Sequence, residues 1–292
     1  MKASRLIFTL LLALSVAVVQ LAAQKTKADQ TPIEEVKAKA EAGDAESEVE
    51  LGRRFSTGAG VAKDQVEGVK WFRKAAEQNL AEAQYLLGFC FYAGEGVAKD
   101  QAEAVRWFRK AAAQNHADAQ NNLGLCYTHG EGVAKDPVEA VKWYRKAVER
   151  NCAEAQYNLG ASFYAGEGVA KDQAEAVKWF GKAAAQNNAK AQYNLGVCYT
   201  HGQGVAKDLV EAVKWYRKAA EQNFLKAQYN LGFCFYNGQG VAKDPVEAYK
   251  WLLLAARQGD ETAQNTMIEL KSFLTREQIA EGEKRAGDFK PR

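Results

Sequence analysis

The chain has little of what chemistry usually needs. Its 292 residues include three histidines, five cysteines and two methionines. His129 and His201 share one position of a repeat but lie two copies apart. That is on the order of 20 Å at one hairpin per roughly 10 Å, too far to share a metal. His116 falls at a junction between copies, and no His-Glu-x-x-His occurs. Ser162 sits in Gly160-Ala161-Ser162-Phe163-Tyr164, which lacks the second glycine of a nucleophile elbow, and no serine is followed three residues later by lysine. The Gly-x-Gly turns lack the third glycine of a dinucleotide fingerprint and the Gly-Lys-Ser/Thr of a phosphate loop. No catalytic residue, metal or cofactor is assigned.

An excess of one charge is also missing. Lys and Arg total 39 against 36 Asp and Glu, a formal charge of +3. Met1 to Ala23 reads as a signal peptide: Lys2 and Arg5, an apolar run from Leu6 to Val19, then small residues before Gln24. No cysteine follows the run, which excludes lipoprotein attachment. Without these residues the charge falls to +1, a balance that argues against nucleic acid as a partner. The protein is expected to be exported, periplasmic or extracellular, and to touch a membrane only if this segment stays uncleaved. A linker over 24–30 leads to a capping helix over 31–44, opened by Thr31-Pro32-Ile33-Glu34 and ending at Gly43.

What is present is a repeat. From Ala45 to Asp260 a 36-residue unit recurs six times without gaps. Numbering each copy from its first residue, position 7 is always Leu, 8 always Gly and 27 always Trp. A period of this length points to a solenoid. Positions 1–14 predict a helix, apolar at 3, 7, 10 and 11 and closed by Gly at 14 in the left-handed conformation. Asp at 20 with Glu at 23 predicts a capping box for a second helix, with Pro137 and Pro245 at its first position and Asn, or Gly259, at its end. Gly at 8 lies mid-helix, where it costs about 1 kcal/mol against Ala, so a neighbouring helix is expected to approach closely there. Copies alternate over 72 residues between Phe-Tyr and Tyr-Thr-His near the first helix's end. Capping helices over 261–286, the second opened by Thr275, and a tail over 287–292 complete the chain.

Several runs carry a resemblance: Leu123-Gly124 with Tyr127, the turn Gly130, Gly132 and Val133, the cap Asp136, and Trp143-Tyr144 with Lys146-Ala147. The chain resembles the Sel-one-like repeat family, a relative of the tetratricopeptide repeats. The resemblance implies an all-α, right-handed α-solenoid of helix–turn–helix repeats that scaffolds protein complexes, often exported in bacteria. Cysteine-rich members bridge their hairpins, but that paired spacing is absent here. Cys90, Cys126, Cys198 and Cys234 all occupy position 10. Equivalent positions on stacked helices lie roughly 8–10 Å apart, while a bridge wants Cα atoms within about 7 Å. They are expected to be buried thiols, and Cys152 free.

One face of the first helix is unexpectedly apolar. Positions 5, 9 and 12 lie opposite Leu at 7, where polar residues belong. They supply Tyr85, Phe89 and Tyr92; Leu125 and Thr128; Tyr157 and Tyr164; Tyr193 and Val197; Tyr229, Phe233 and Tyr236. In the related tetratricopeptide fold this face lines the concave groove. Exposed aromatic surface marks interaction sites, so a peptide or protein partner is expected in that groove, bound by a monomeric, non-enzymatic scaffold. The alternative for these tyrosines is lateral packing between adjacent helices. The second helix carries Lys or Arg at 26, 29 and 30, as in Arg106, Arg109 and Lys110. A solvated convex face explains these cations, and a cell-envelope polymer binder is the runner-up function. An exported hydrolase ranks third.

Overall fold

The computed structural model describes residues 31–291. The expected signal peptide and linker lie outside the described residues. Those residues form fifteen helices and no strand, in two compact units divided between Ala147 and Val148. The first unit holds α1 (Ile33–Glu41), α2 and α3 (Ala45–Thr57, Gln65–Glu77), α4 and α5 (Ala81–Ala93, Gln101–Ala113), α6 (Ala117–His129) and most of α7 (Pro137–Glu149). The second holds α8 and α9 (Ala153–Ala165, Gln173–Ala185), α10 and α11 (Ala189–His201, Leu209–Glu221), α12 and α13 (Leu225–Asn237, Pro245–Arg257), α14 (Glu261–Lys271) and α15 (Arg276–Gly287). Each unit is a stack of α-hairpins, so the fold class is the all-α solenoid.

Local chemistry sets the helix ends. Gly at position 14 has φ between 70° and 84° in all six copies, and Asn79, Asn115, Asn151, Asn187 and Asn223 have φ of 58–65°. Each second helix is capped by its Asp, which accepts from the backbone N–H of the Glu three residues on at 2.9–3.0 Å. The reciprocal half of the expected capping box is not made. Each Glu carboxylate instead meets the Lys or Arg one turn further on, at 2.8–3.0 Å. The N–H of each capping Asp is already given across the hairpin turn, as Asp100 donates to the Phe91 carbonyl at 2.9 Å, so the Glu has no donor to reach back to. A complete capping box joins Thr275 and Gln278 at the start of α15. The cap proposed for the first helix also changes: Pro32, not Thr31, is its N-cap, and no side chain accepts there.

The hairpins close on Gly at position 8. A Cβ at Gly124 would lie 2.5 Å from the Tyr144 ring, and one at Gly88 2.8 Å from the Phe108 ring. The helical penalty of glycine is thus offset by an aromatic at position 28 lying against the first helix. Ala83 and Ala111 are 0% exposed beside it, with Leu87. In the second unit Phe180, Tyr216 and Leu252 play the same part against Gly160, Gly196 and Gly232.

Successive hairpins lock in two ways. Gly132, at position 16 with φ 69°, presses its turn onto the preceding repeat: a Cβ would lie 2.0 Å from the Gln101 carbonyl oxygen. Beside this runs a ladder of buried amides. Gln84, 2% exposed, donates to Asn79 at 2.9 Å and accepts from Gln114 at 2.9 Å. Gln156, Gln192 and Gln228 accept from Gln186, Gln222 and Gln258 at 2.7–2.8 Å. Such satisfied buried networks fix one register, because any slip strands their polar atoms. The end is built differently. α15 packs on α13, where Arg285 meets Glu247 at 3.3 Å and Phe289 meets Trp251 at 5.5 Å between ring centroids.

Gly60 tests the repeat contact, because it holds position 16 of the first copy with φ 76° and nothing within 4 Å of its Cβ site. Replacing either Gly60 or Gly132 by Ala should cost about 1–2 kcal/mol for the left-handed backbone. Gly132→Ala should cost ~1–3 kcal/mol more for the collision. Urea unfolding of the two variants measures the difference, and equal losses would contradict the contact.

Candidate functional site

The aromatic face of the first helices is half-buried. Tyr85, Tyr92, Tyr157, Tyr164, Tyr193, Tyr229 and Tyr236 are all of intermediate exposure, as are Phe89, Leu125, Thr128 and Val197. Phe233 is the most open of the set at 38%. In the two hairpins with Phe108 and Phe180 at position 28, the face is built by resting both tyrosines on that ring. Tyr85 and Tyr92 flank Phe108 at 6.1 and 6.4 Å between centroids, and Tyr157 and Tyr164 flank Phe180 at 5.9 and 6.4 Å. Tyr193 lies 6.0 Å from Tyr216 and 5.4 Å from Phe224. The rings are therefore both surface and seam. Angular position on the first helix showed only that they avoid the Leu seam. It could not show that the second helix reaches round to them.

The phenol hydroxyls tie neighbouring copies together. Tyr92 donates to Glu131 at 2.5 Å and Tyr164 to Gln203 at 2.6 Å, each at position 15 of the next copy. Tyr236 donates to Glu269 at 3.3 Å. Tyr157 and Tyr193 hydrogen-bond with Asn194 and Asn230. Burial raises the pKa of Tyr92, and the Glu131 carboxylate adds to it. Burial likewise pushes Tyr216 up to about 12. The 72-residue alternation now has a reason. Where position 12 is Thr, position 28 is Tyr, and the two hydroxyls meet: Thr128 with Tyr144 at 2.9 Å, Thr200 with Tyr216 at 3.0 Å. Thr128 also donates to the Gly124 carbonyl, which leaves its hydroxyl well occupied.

Charge enters the face at position 2. Glu82 is bridged to Arg53 of the preceding copy and accepts from His116 Nε2 at 2.8 Å. The His116 ring stacks on Tyr85 at 4.8 Å, and its Nδ1 caps α6 at Ala119. These bonds lower the Glu82 pKa even though burial, the largest single influence on it, acts to raise it. In the second unit Lys190 lies 5.9 Å from the Tyr157 ring centroid. Asn194, Asn230, Glu131 and Gln203 were not singled out from sequence. Their recurrence at positions 6 and 15 was the available signal.

The second-helix cations are already engaged. Those at position 26 pair with Glu, and the lysines at position 30 lie over the tryptophans at 3.8–4.1 Å. The indole N–H groups of Trp71, Trp107, Trp143, Trp179 and Trp215 are buried without hydrogen-bond partners among the described residues. No cluster of three or more His, Cys, Asp or Glu side chains suited to a metal occurs among those residues. His129 and His201 are exposed. All five cysteines are buried thiols outside any disulfide, and burial pushes Cys90 and Cys126 up to about 12, Cys198 and Cys234 to about 11. No helix among the described residues is long and apolar enough to cross a membrane.

Stacked hairpins with a repeated side-chain face define a helical-repeat solenoid. The Sel1 repeat model matches six consecutive segments, 45–80, 81–116, 117–152, 153–188, 189–224 and 225–260. The chain belongs to the Sel1-repeat family. Proteins of this family serve in general as protein-interaction scaffolds and are typically non-catalytic. A protective antigen present in uropathogenic Escherichia coli strains is similar in structure, with a TM-score of 0.77 and 34% identity over 88% of this chain. The match covers 56% of that protein. A Sel1 repeat protein from Oxalobacter formigenes gives 0.74 and 33%, over 80% of this chain and 68% of its own. No curated protein matches the sequence.

Two outcomes are expected. Tyr164→Phe should lower stability by about 0.5–1.5 kcal/mol by removing the bond to Gln203, read by urea unfolding. A thiol reagent should count five cysteines after denaturation, with slow reaction before it. Fewer than five would mean that some are bridged.

Proposed function

We propose that the chain is an exported, non-enzymatic scaffold that holds a peptide or protein partner on the aromatic face of its first helices. The observation that carries this is the recurrence of half-buried Tyr and Phe at positions 5, 9 and 12, with Phe233 open to solvent. Such rings present broad contact area with little side-chain freedom to lose, and they sit on a rigid backing of position-28 rings. The runner-up, an envelope polymer bound on the second helices, is disfavoured because those lysines already face Glu or Trp. A polymer would have to displace these contacts. Export rests on Met1 to Ala23 acting as a cleaved signal peptide. N-terminal sequencing of the exported protein should then begin at Gln24.

The test is selection of peptides from a displayed random library on the mature chain. Their affinity should fall by ~2 kcal/mol or more when an anchoring ring is lost, as in Phe233→Glu. Melting temperature should stay near that of the parent, since Phe233 is 38% exposed. Leu231→Ala, at a fully buried position, should cost about 2–5 kcal/mol of stability. Selected peptides that ignore Phe233 and Tyr157 but respond to Lys178→Glu with Lys214→Glu would move the site to the second helices.

A further inference from the structure

Position 2 of the first helix is acidic in α2, α4, α6 and α8, as Glu46, Glu82, Asp118 and Glu154. In α10 and α12 it is Lys190 and Lys226, and neither helix has any acid in its first turn. A cation there opposes the positive end of the helix dipole, so helix stability does not account for the change. Glu82 shows where position 2 points: it meets Arg53 and the His116 ring that stacks on Tyr85. Lys190 shows the same for the second unit, with its amine 5.9 Å from the Tyr157 centroid. Neither Lys190 nor Lys226 forms a salt bridge among the described residues; Glu154 acts on Lys190 only at a distance.

The other end of the face changes in the same two copies. Position 15 is Ala59 in the first copy and Glu95, Glu131 and Glu167 in the next three, but Gln203 and Gln239 in these. Lys207 and Lys243 remain, and Lys243 lies 5.7 Å from the Tyr236 centroid. The acids on the same elements are Glu154, which acts on Lys190, Glu269, which accepts from Tyr236, and Asp260, which stands relative to Lys226 as His116 stands to Glu82 but is engaged in capping α14 at Ala263. The aromatic face of α10 and α12 is thus edged by cations at both ends.

We infer that this face takes an acidic peptide segment, its carboxylates on Lys190 and Lys226 and its apolar side chains on Tyr157, Tyr193 and Tyr229. The inference rests on the first-helix face being the binding face and adds the chemistry of the partner. An aromatic bed supplies contact area of either sign, and two unpaired lysines beside it choose the sign.

The test uses the mature full chain and three fluorescein-labelled peptides, with Phe and Leu alternating with Glu, Gln or Lys. Fluorescence anisotropy should rank the Glu peptide first, with binding that weakens as salt rises. Lys190→Glu with Lys226→Glu should weaken it by at least about tenfold. That variant restores the acid found in α4 and α8, so its melting temperature should hold or rise. Lys190→Gln with Lys226→Gln provides a second, milder variant. Equal binding of the Glu and Gln peptides, or a double reversal without effect, overturns the inference. If binding still depends on Phe233 in that case, the first-helix face stands and only the partner's chemistry is wrong. If no peptide binds, or Lys178→Glu with Lys214→Glu weakens the Glu peptide as much, both readings fail.

Discussion

A missing side chain sets the geometry of every hairpin. Gly at position 8 lets an aromatic or leucine from the second helix lie within van der Waals reach of the first-helix backbone. Any Cβ would force that ring outward, and a packed interior has no slack to receive it. The ring's place in turn decides where the tyrosines at positions 5 and 12 can rest. Backing Phe108 with Tyr85 and Tyr92, or Phe180 with Tyr157 and Tyr164, turns a helix surface into a fixed aromatic face. The candidate site is thus a by-product of close hairpin packing.

Much of the fold was legible because its determinants are local. Gly94, Asn115 and Asp100 each act within one turn of their own position, so residue type and spacing suffice. The capping box failed where a local signal meets a bond across the turn. Glu103 is spaced to reach back to its N-cap, but the Asp100 N–H is already given to the Phe91 carbonyl, and Glu103 pairs with Arg106. What stayed hidden lies 30 to 39 residues apart. The bonds Gln114 to Asn79 and Tyr92 to Glu131 join one copy to the next. Their geometry follows from the stacking angle, which the repeat pattern does not contain. The aromatic stripe was legible as an anomaly, apolar where polar was due, but not as part of the packing.

The division of labour between faces follows from this. On the second helices the position-30 lysines lie over the tryptophan rings, and Glu at position 23 holds its own turn. Little there is left to recruit a partner. On the first helices the tyrosine rings are held by hydroxyl bonds and, at Phe108 and Phe180, by position 28, so the proposed partner would meet a surface already ordered. Among the positions at which the copies differ are 2, 9, 12 and 15. Positions 2 and 15 edge the rings, and position 12 with 15 also ties one copy to the next.

The central claim is that partners bind the first-helix face. Amide hydrogen exchange of the mature chain, with and without a peptide selected on it, tests this most directly. Bound peptide should slow exchange in α8, α10 and α12 and in the turns that follow them, and leave the outward side of α9 and α11 unchanged. Protection confined to α9, α11 and α13 would contradict the account.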